Sequence, residues 1–215
     1  MKLQYFGHSC FRIISEMGTT ILCDPYDDET LTRPMTHIFA DVVTLSHNHH
    51  DHNAVQNLLN NPAVLDVEIA CAADDVAVKS YSTFHDEQGG ALRGSNLVFT
   101  FNVDGLSVVH LGDIGFVDES IVDAIKGCNA LLLPVGGVYT VDAVAAKKIV
   151  DQVKPSMVIP MHYATPLHTF KLNSLGEFTQ LFPSSQVRLV GDTLLLEDMF
   201  SDADTQVVVM QPYFD

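Results

Sequence analysis

Residues 46–52 read Ser-His-Asn-His-His-Asp-His, placing four imidazoles and one carboxylate within six consecutive positions. They follow Asp41-Val42-Val43-Thr44-Leu45, a β-rich run of the kind expected for a strand buried on both faces. In extended chain, residues i and i+2 point to one side, so His47 and His49 can reach a common point. Asp51 and His52 fall where the chain turns toward residues 53–60, so they can face the same cavity from another direction. Imidazole and carboxylate are the ligands that zinc and its neighbours accept, and the strand gives them a rigid support. An isolated histidine is more often structural or solvated; this density is not explained that way.

The rest of the chain reads as one domain of 215 residues without repeats or linkers. A first strand through Leu3, Tyr5, Cys10–Phe11 and Ile13–Ile14 should turn at 16–18 and return over Thr19–Cys23, with Asp24-Pro25 ending it. Residues 26–36 read as a solvated acidic loop, and 53–60 as a short helix stopped by Pro62. Strands are expected over Val64–Ala70, Leu97–Phe101, Leu106–Leu111, Ala130–Val135 and Met157–Pro160. Helices are expected over 117–126, from Thr140 to about Val153, and over 173–182, with a closing strand pair in 187–197. A strand-rich first half and a helix–strand alternation later imply a layered α/β architecture. Val207-Val208-Val209-Met210 is apolar and strand-like, so it should be buried, either as an edge strand of its own sheet or against a second copy of the chain. Asp192, Glu197, Asp198, Asp202, Asp204 and Asp215 around it should face solvent.

Beyond the cluster, His85 in Ser82-Thr83-Phe84-His85, Asp113 in His110-Leu111-Gly112-Asp113, and His162 in Pro160-Met161-His162-Tyr163 follow in order. With His47, His49, Asp51 and His52 in an H-x-H-x-D-H pattern, the chain resembles the metallo-β-lactamase superfamily. Tyr5–Phe11, Cys23-Asp24-Pro25 and Leu133–Gly137 extend the likeness over nearly the whole chain. They resemble the small bacterial and archaeal branch that includes L-ascorbate-6-phosphate lactonase. The resemblance implies a four-layer αββα sandwich with a dinuclear metal site at the edge between two sheets. It assigns His47, His49 and His85 to one divalent ion, Asp51, His52 and His162 to a second, and Asp113 as the bridge. Zinc is the first expectation; manganese, iron or nickel would also suit these ligands. Two such ions ionise a shared water near neutral pH, and Asp51 would be the catalytic residue that aims it. The implied function is a metal-dependent hydrolase of a small ester, lactone or phosphodiester.

Other residues carry weaker signals. His8 is either a buried, hydrogen-bonded histidine or a group near the metals, and His168 either a solvated loop residue or a neighbour of the cleft; both are kept as candidate substrate contacts. His110 and Asp24 read as structural supports, and His50 as facing away from the metals. Cys10, Cys23, Cys71 and Cys128 are widely spaced and read as reduced core residues, not as ligands or nucleophiles. A di-iron redox protein of the same fold usually carries Glu where this chain has His49, and needs a flavin domain. A non-catalytic metal-binding protein is the other alternative. The net charge of 11 − 27 = −16 argues against nucleic acid and anionic membrane surfaces as partners, which leaves a small-molecule substrate and a possible homo-oligomer. The first residues show no apolar secretory region, so a cytoplasmic location is expected.

Overall fold

The computed structural model describes residues 1–33, 35, 37–73, 75–199 and 204–213. Fourteen strands and three α-helices follow one another as β1 (Lys2–Gly7), β2 (Cys10–Ile14), β3 (Thr20–Cys23), β4 (Val42–Thr44), β5 (Ala63–Leu65), β6 (Ala70–Ala73), β7 (Val76–Phe84), β8 (Ser95–Val103), β9 (Leu106–His110), α1 (Glu119–Ile125), β10 (Ala130–Pro134), α2 (Ala143–Val153), β11 (Met157–Met161), α3 (Leu175–Thr179), β12 (Val187–Leu189), β13 (Thr193–Leu195) and β14 (Gln206–Val209). They form two mixed sheets, ordered β13-β1-β2-β3-β4-β5 and β12-β14-β11-β10-β9-β8-β7-β6.

Alternation of side chains across each strand builds the layers. Leu3, Tyr5, Phe11, Ile13, Ile21 and Cys23 of the first sheet meet Phe99, Phe101, Leu132, Ile159 and Val208 of the second in the core between them. The other face of the second sheet, through Val98, Leu131 and Leu133, packs under the helices, which contribute Ile121, Ile125, Ala146, Ile149, Val150 and Phe178. Asp118 caps α1 by accepting from Ile121 N–H at 3.0 Å. The outer face of the first sheet, through Phe6, Cys10, Leu22 and Val43, is covered by loop residues Tyr26, Leu31, Ile38, Val55 and Leu58. Four layers result, and among the described residues the outer layer on the first sheet holds only a 3-10 turn at Val55–Asn57.

Several sequence expectations shift in physically instructive ways. The first strand is two strands, with His8 and Ser9 in the turn between β1 and β2. The helix expected over 53–60 does not form. Its N–H groups bond elsewhere, Ala54 to Pro25 and Leu59 to Ile38, while Asn60 clasps the backbone of Ala40. Val64–Ala70 is not one strand: β5 ends in the first sheet, residues 66–69 cross over, and β6 starts the edge of the second. Residues 76–84, not foreseen as a strand, form nine-residue β7 along β8. Asp142, not Thr140, caps α2, accepting from Ala145 N–H at 2.8 Å. The helix in 173–182 is shorter, at Leu175–Thr179.

The pair in 187–197 does not close on itself, because β12 lies in the second sheet and β13 pairs with β1 in the first. The apolar tail is not at an edge; β14 lies between β11 and β12 with Val207 and Val208 fully buried. Asp202 and Asp215 beside it, and Pro34 and Thr36 of the acidic loop, lie outside the described residues. All four cysteines are free, but Cys71 is exposed on edge strand β6 instead of in the core. Among the described residues, no helix is long and apolar enough to cross a membrane.

Candidate metal centre

The seven expected ligands converge at one rim of the two sheets. Each sits in a loop just past a strand: residues 47–52 after β4, His85 after β7, Asp113 after β9 and His162 after β11. Two ligand groups form, each with donor atoms within 4.8 Å of one another: His47, His49 and His85, and His8, Asp51, His52 and His162. Asp113 lies between them. Its Oδ2 is 3.3 Å from His85 Nε2, 3.1 Å from His162 Nε2 and 4.0 Å from His47 Nε2, and its Oδ1 is 3.3 Å from His52 Nε2.

The backbone is tailored to this convergence. Gly112 has φ +57°, and a Cβ there would lie 2.3 Å from Asn96 Oδ1 and 2.5 Å from the Ser46 Cβ, so only glycine lets the turn carry Asp113 inward. Asn96 then receives the Asp113 N–H at 3.0 Å and donates to the Leu111 carbonyl at 2.9 Å. His8, Asp24 and His162 all hold positive φ, at 53°, 46° and 52°, a strained choice for non-glycine residues that clusters where side chains must be aimed. The His162 N–H donates to the His8 carbonyl at 2.9 Å, tying the two sheets together at the site.

Hydrogen bonds set which ring nitrogens face inward. Asp24, almost fully buried, accepts from Ser46 N–H and the Ser46 hydroxyl, and from His52 Nδ1 at 2.8 Å. With its proton given to Asp24, the Ser46 Oγ accepts from His47 Nδ1 at 2.9 Å. Both His47 and His52 thus carry hydrogen on Nδ1 and turn Nε2 toward Asp113, bare on His47 and, without a metal, protonated on His52. A second file starts at the Thr165 N–H, which donates to His168 Nδ1 at 3.2 Å. His168 Nε2 then donates to His8 Nδ1 at 3.1 Å, and His8 Nε2 donates to Asp51 Oδ2 at 3.2 Å. His8 and His168, expected as substrate contacts, are bonded to one another in this file behind Asp51. His110 is structural as expected, donating from Nε2 to the Ser9 carbonyl and accepting the Gly112 N–H at Nδ1. His50 is exposed and bonded to Asp27 at 3.1 Å.

Electrostatics follow from this crowding. Burial pushes His8 and His47 down to about 3, aided by the neighbouring histidines. Burial opposes the charge of Asp113 too, but His162 and His52 win and hold it well below the ordinary carboxylate range. For His52, burial is outweighed by Asp113 and Asp24, which raise it well above its ordinary value. Buried His47 Nε2, His52 Nε2, His162 Nε2 and Asp113 Oδ1 have no hydrogen-bond partner of acceptable geometry. Four such orphans around Asp113 are costly unless something engages them, and a divalent cation, displacing the His52 proton, has that chemistry. The donor set therefore fits metal.

Over the cluster lies a cavity of about 430 Å³, lined by His49, His50, Asp51, His85 and Asp113 together with Arg93, Tyr139 and Phe170. These last three were missed in the sequence. The available signal for Arg93 was the preceding Asp86-Glu87-Gln88-Gly89-Gly90, a turn-rich stretch directly after His85.

A family model described as a beta-lactamase superfamily domain matches residues 2–162. A UPF0173 metal-dependent hydrolase of Natranaerobius thermophilus is 30% identical over 188 residues, covering 77% of this chain and 84% of that one. A Thermotoga maritima structure, assigned to the Zn-dependent hydrolases of the metallo-β-lactamase superfamily, is 35% identical with TM-score 0.79, covering 98% of this chain and 99% of that one. A metallo hydrolase of Ignicoccus hospitalis shares the fold at TM-score 0.67 and 23% identity, covering 98% and 95%.

Proposed function

The chain belongs to the beta-lactamase superfamily, and from that premise we propose that it is a hydrolase that works with two divalent metal ions on a small ester, lactone or phosphodiester. The observation that carries this reading is the set of unpartnered nitrogen and oxygen atoms around Asp113, shared between two groups of ligand-type side chains. His47, His49 and His85 would hold one ion, Asp51, His52 and His162 the other, and Asp113 would serve both. Zinc suits the imidazole-rich set best; manganese, iron and nickel accept the same ligands. Such ions supply Lewis acidity toward the substrate oxygen and a water that ionises near neutral pH.

The chain's own residues do the rest. Asp113, held anionic by the histidines around it, offsets repulsion between two cations. Asp24 and Ser46 fix the tautomers of His52 and His47. Asp51 has Oδ2 engaged by His8, which holds the carboxylate anionic and orients it, so that it would accept a hydrogen bond from the attacking water and aim it. Tyr139 and Phe170 border the cavity and help to exclude water from it.

The test is elemental analysis of the purified protein followed by a screen of phosphodiesters, lactones and thioesters. We expect about two metal equivalents per chain and turnover that chelation abolishes and metal restores. Metal-free protein of equal activity would overturn the reading.

A further inference from the structure

Resting on the reading that this cavity receives the substrate, we propose that Arg93 makes it a site for a small organic oxyanion. The carboxylate or phosphate group would lie on the guanidinium and the apolar body against Tyr139 and Phe170, with the reacting bond over the histidine–aspartate cluster.

The first support is charge. In a chain of net charge −16, Arg93 is the lone Lys or Arg among the described residues lining this cavity. Among the described residues its guanidinium has no carboxylate within ion-pair distance, and the side chain makes one hydrogen bond, from Nη2 to the Val138 carbonyl at 3.1 Å. A guanidinium has five N–H donors in a fork that matches a carboxylate or phosphate, so most of that capacity is open.

The second support is rigidity. Asp86 is buried, and its carboxylate accepts four backbone N–H groups: Gln88 at 2.8 Å, Gly90 at 3.1 Å, Leu92 at 3.0 Å and Arg93 at 2.8 Å. The His85 N–H donates to the Gly94 carbonyl at 3.1 Å and closes the loop. One internally tied loop therefore presents His85 at one end and Arg93 at the other. With its oxygens saturated by backbone donors, Asp86 anchors the loop without neutralising the guanidinium.

The third support is shape. The guanidinium carbon lies 5.8 Å from the Tyr139 ring centroid, and Tyr139 meets Phe170 edge to face at 6.0 Å. Tyr139 is 40% exposed, and neighbouring Val138 is 47% exposed, so apolar surface continues to the mouth. A cation beside an aromatic wall, across from a metal-competent cluster, suits a molecule that is anionic at one end and apolar in its body.

Calorimetric titration of the metal-loaded chain tests this with phenylacetate, phenyl phosphate and neutral phenylacetamide. Wild type, Arg93→Gln and Arg93→Lys are compared at equal metal content. We expect the affinity ratio of anion to amide to fall about tenfold in Arg93→Gln, and less in Arg93→Lys, which keeps the charge but loses the fork. A fall confined to phenylacetate identifies a carboxylate site, and one confined to phenyl phosphate a phosphate site. Equal ratios in wild type and both variants, or a wild type that favours neither anion over the amide, would overturn the proposal. Binding needs no turnover, so a protein that hydrolyses nothing would sink the hydrolase reading and still leave Arg93 judged by these ratios.

Discussion

The two halves of the histidine–aspartate cluster are built differently. His47, His49 and His85 are all imidazoles, and His49 is exposed to the cavity. Asp51, His52 and His162 include a carboxylate; His52 and His162 are buried, and His8 and Asp24 bond to the group from outside. The first half carries no carboxylate and opens to the cavity through His49 alone, with His47 and His85 buried. The second is charged and braced. A site made of one open half and one anchored half has a natural direction: substrate approaches from the open side while the braced side keeps its geometry.

The largest expected effect removes what the halves share. Asp113→Ala should lower metal occupancy in both, with a loss of metal affinity beyond the roughly 10–100-fold typical for outer-shell partners. Elemental analysis after dialysis reads it. If only one equivalent is lost, Asp113 serves one half and its shared role is false. Next, His162→Ala should cost about one metal equivalent and, because the ring is buried, about 1–3 kcal/mol of stability in chemical denaturation. His49→Ala should also cost one equivalent, with a stability change within about 0.5 kcal/mol because the ring is exposed. Similar stability losses in both variants would erase the distinction between an open and a braced half. Third, Asp24→Asn should weaken metal binding about 10–100-fold while the ligands stay in place. Asp24 bonds His52 directly and His47 only through Ser46, so the braced half should weaken more.

How much of this was legible in the sequence differs between the halves. The 47–52 run announces itself because its residues are contiguous at the end of an apolar strand. His85, Asp113 and His162 became readable through resemblance, since their spacing along the chain says nothing of the crossing that unites them. Asn96 sits in a long strand and is indistinguishable from a solvated residue until its amide meets the Gly112-Asp113 turn. The helix expected over 53–60 failed because its local pattern competes with long-range bonds from Pro25, Ile38 and Asn60. The split of 64–70 between two sheets was hidden because periodicity reports faces and not partners. The strands of the inter-sheet core were mostly visible, since burial on both faces leaves a continuous apolar record, as in Ala130–Pro134.

The smallest effect concerns the file behind Asp51. Burial holds His168 down to about 4, and His8 to about 3, so both stay neutral in the folded, metal-free protein well below the value near 6.5 of an unfolded chain. As pH falls from about 6.5 toward 4, the unfolded chain therefore binds protons that the folded chain refuses, and folding stability declines. Above 6.5 neither state is protonated and these groups contribute no slope. His168→Gln separates this from the other titrations. Its Oε1 can accept the Thr165 N–H and its Nε2 can donate to His8 Nδ1, so the file keeps its direction while one titrating group disappears. Thermal melts of metal-free wild type and variant should run parallel above pH 7, with the variant losing less stability between pH 6.5 and 4. A variant whose acid slope equals that of wild type would mean that His168 is free to protonate in the folded protein, and the file would then not hold His8 in the tautomer described.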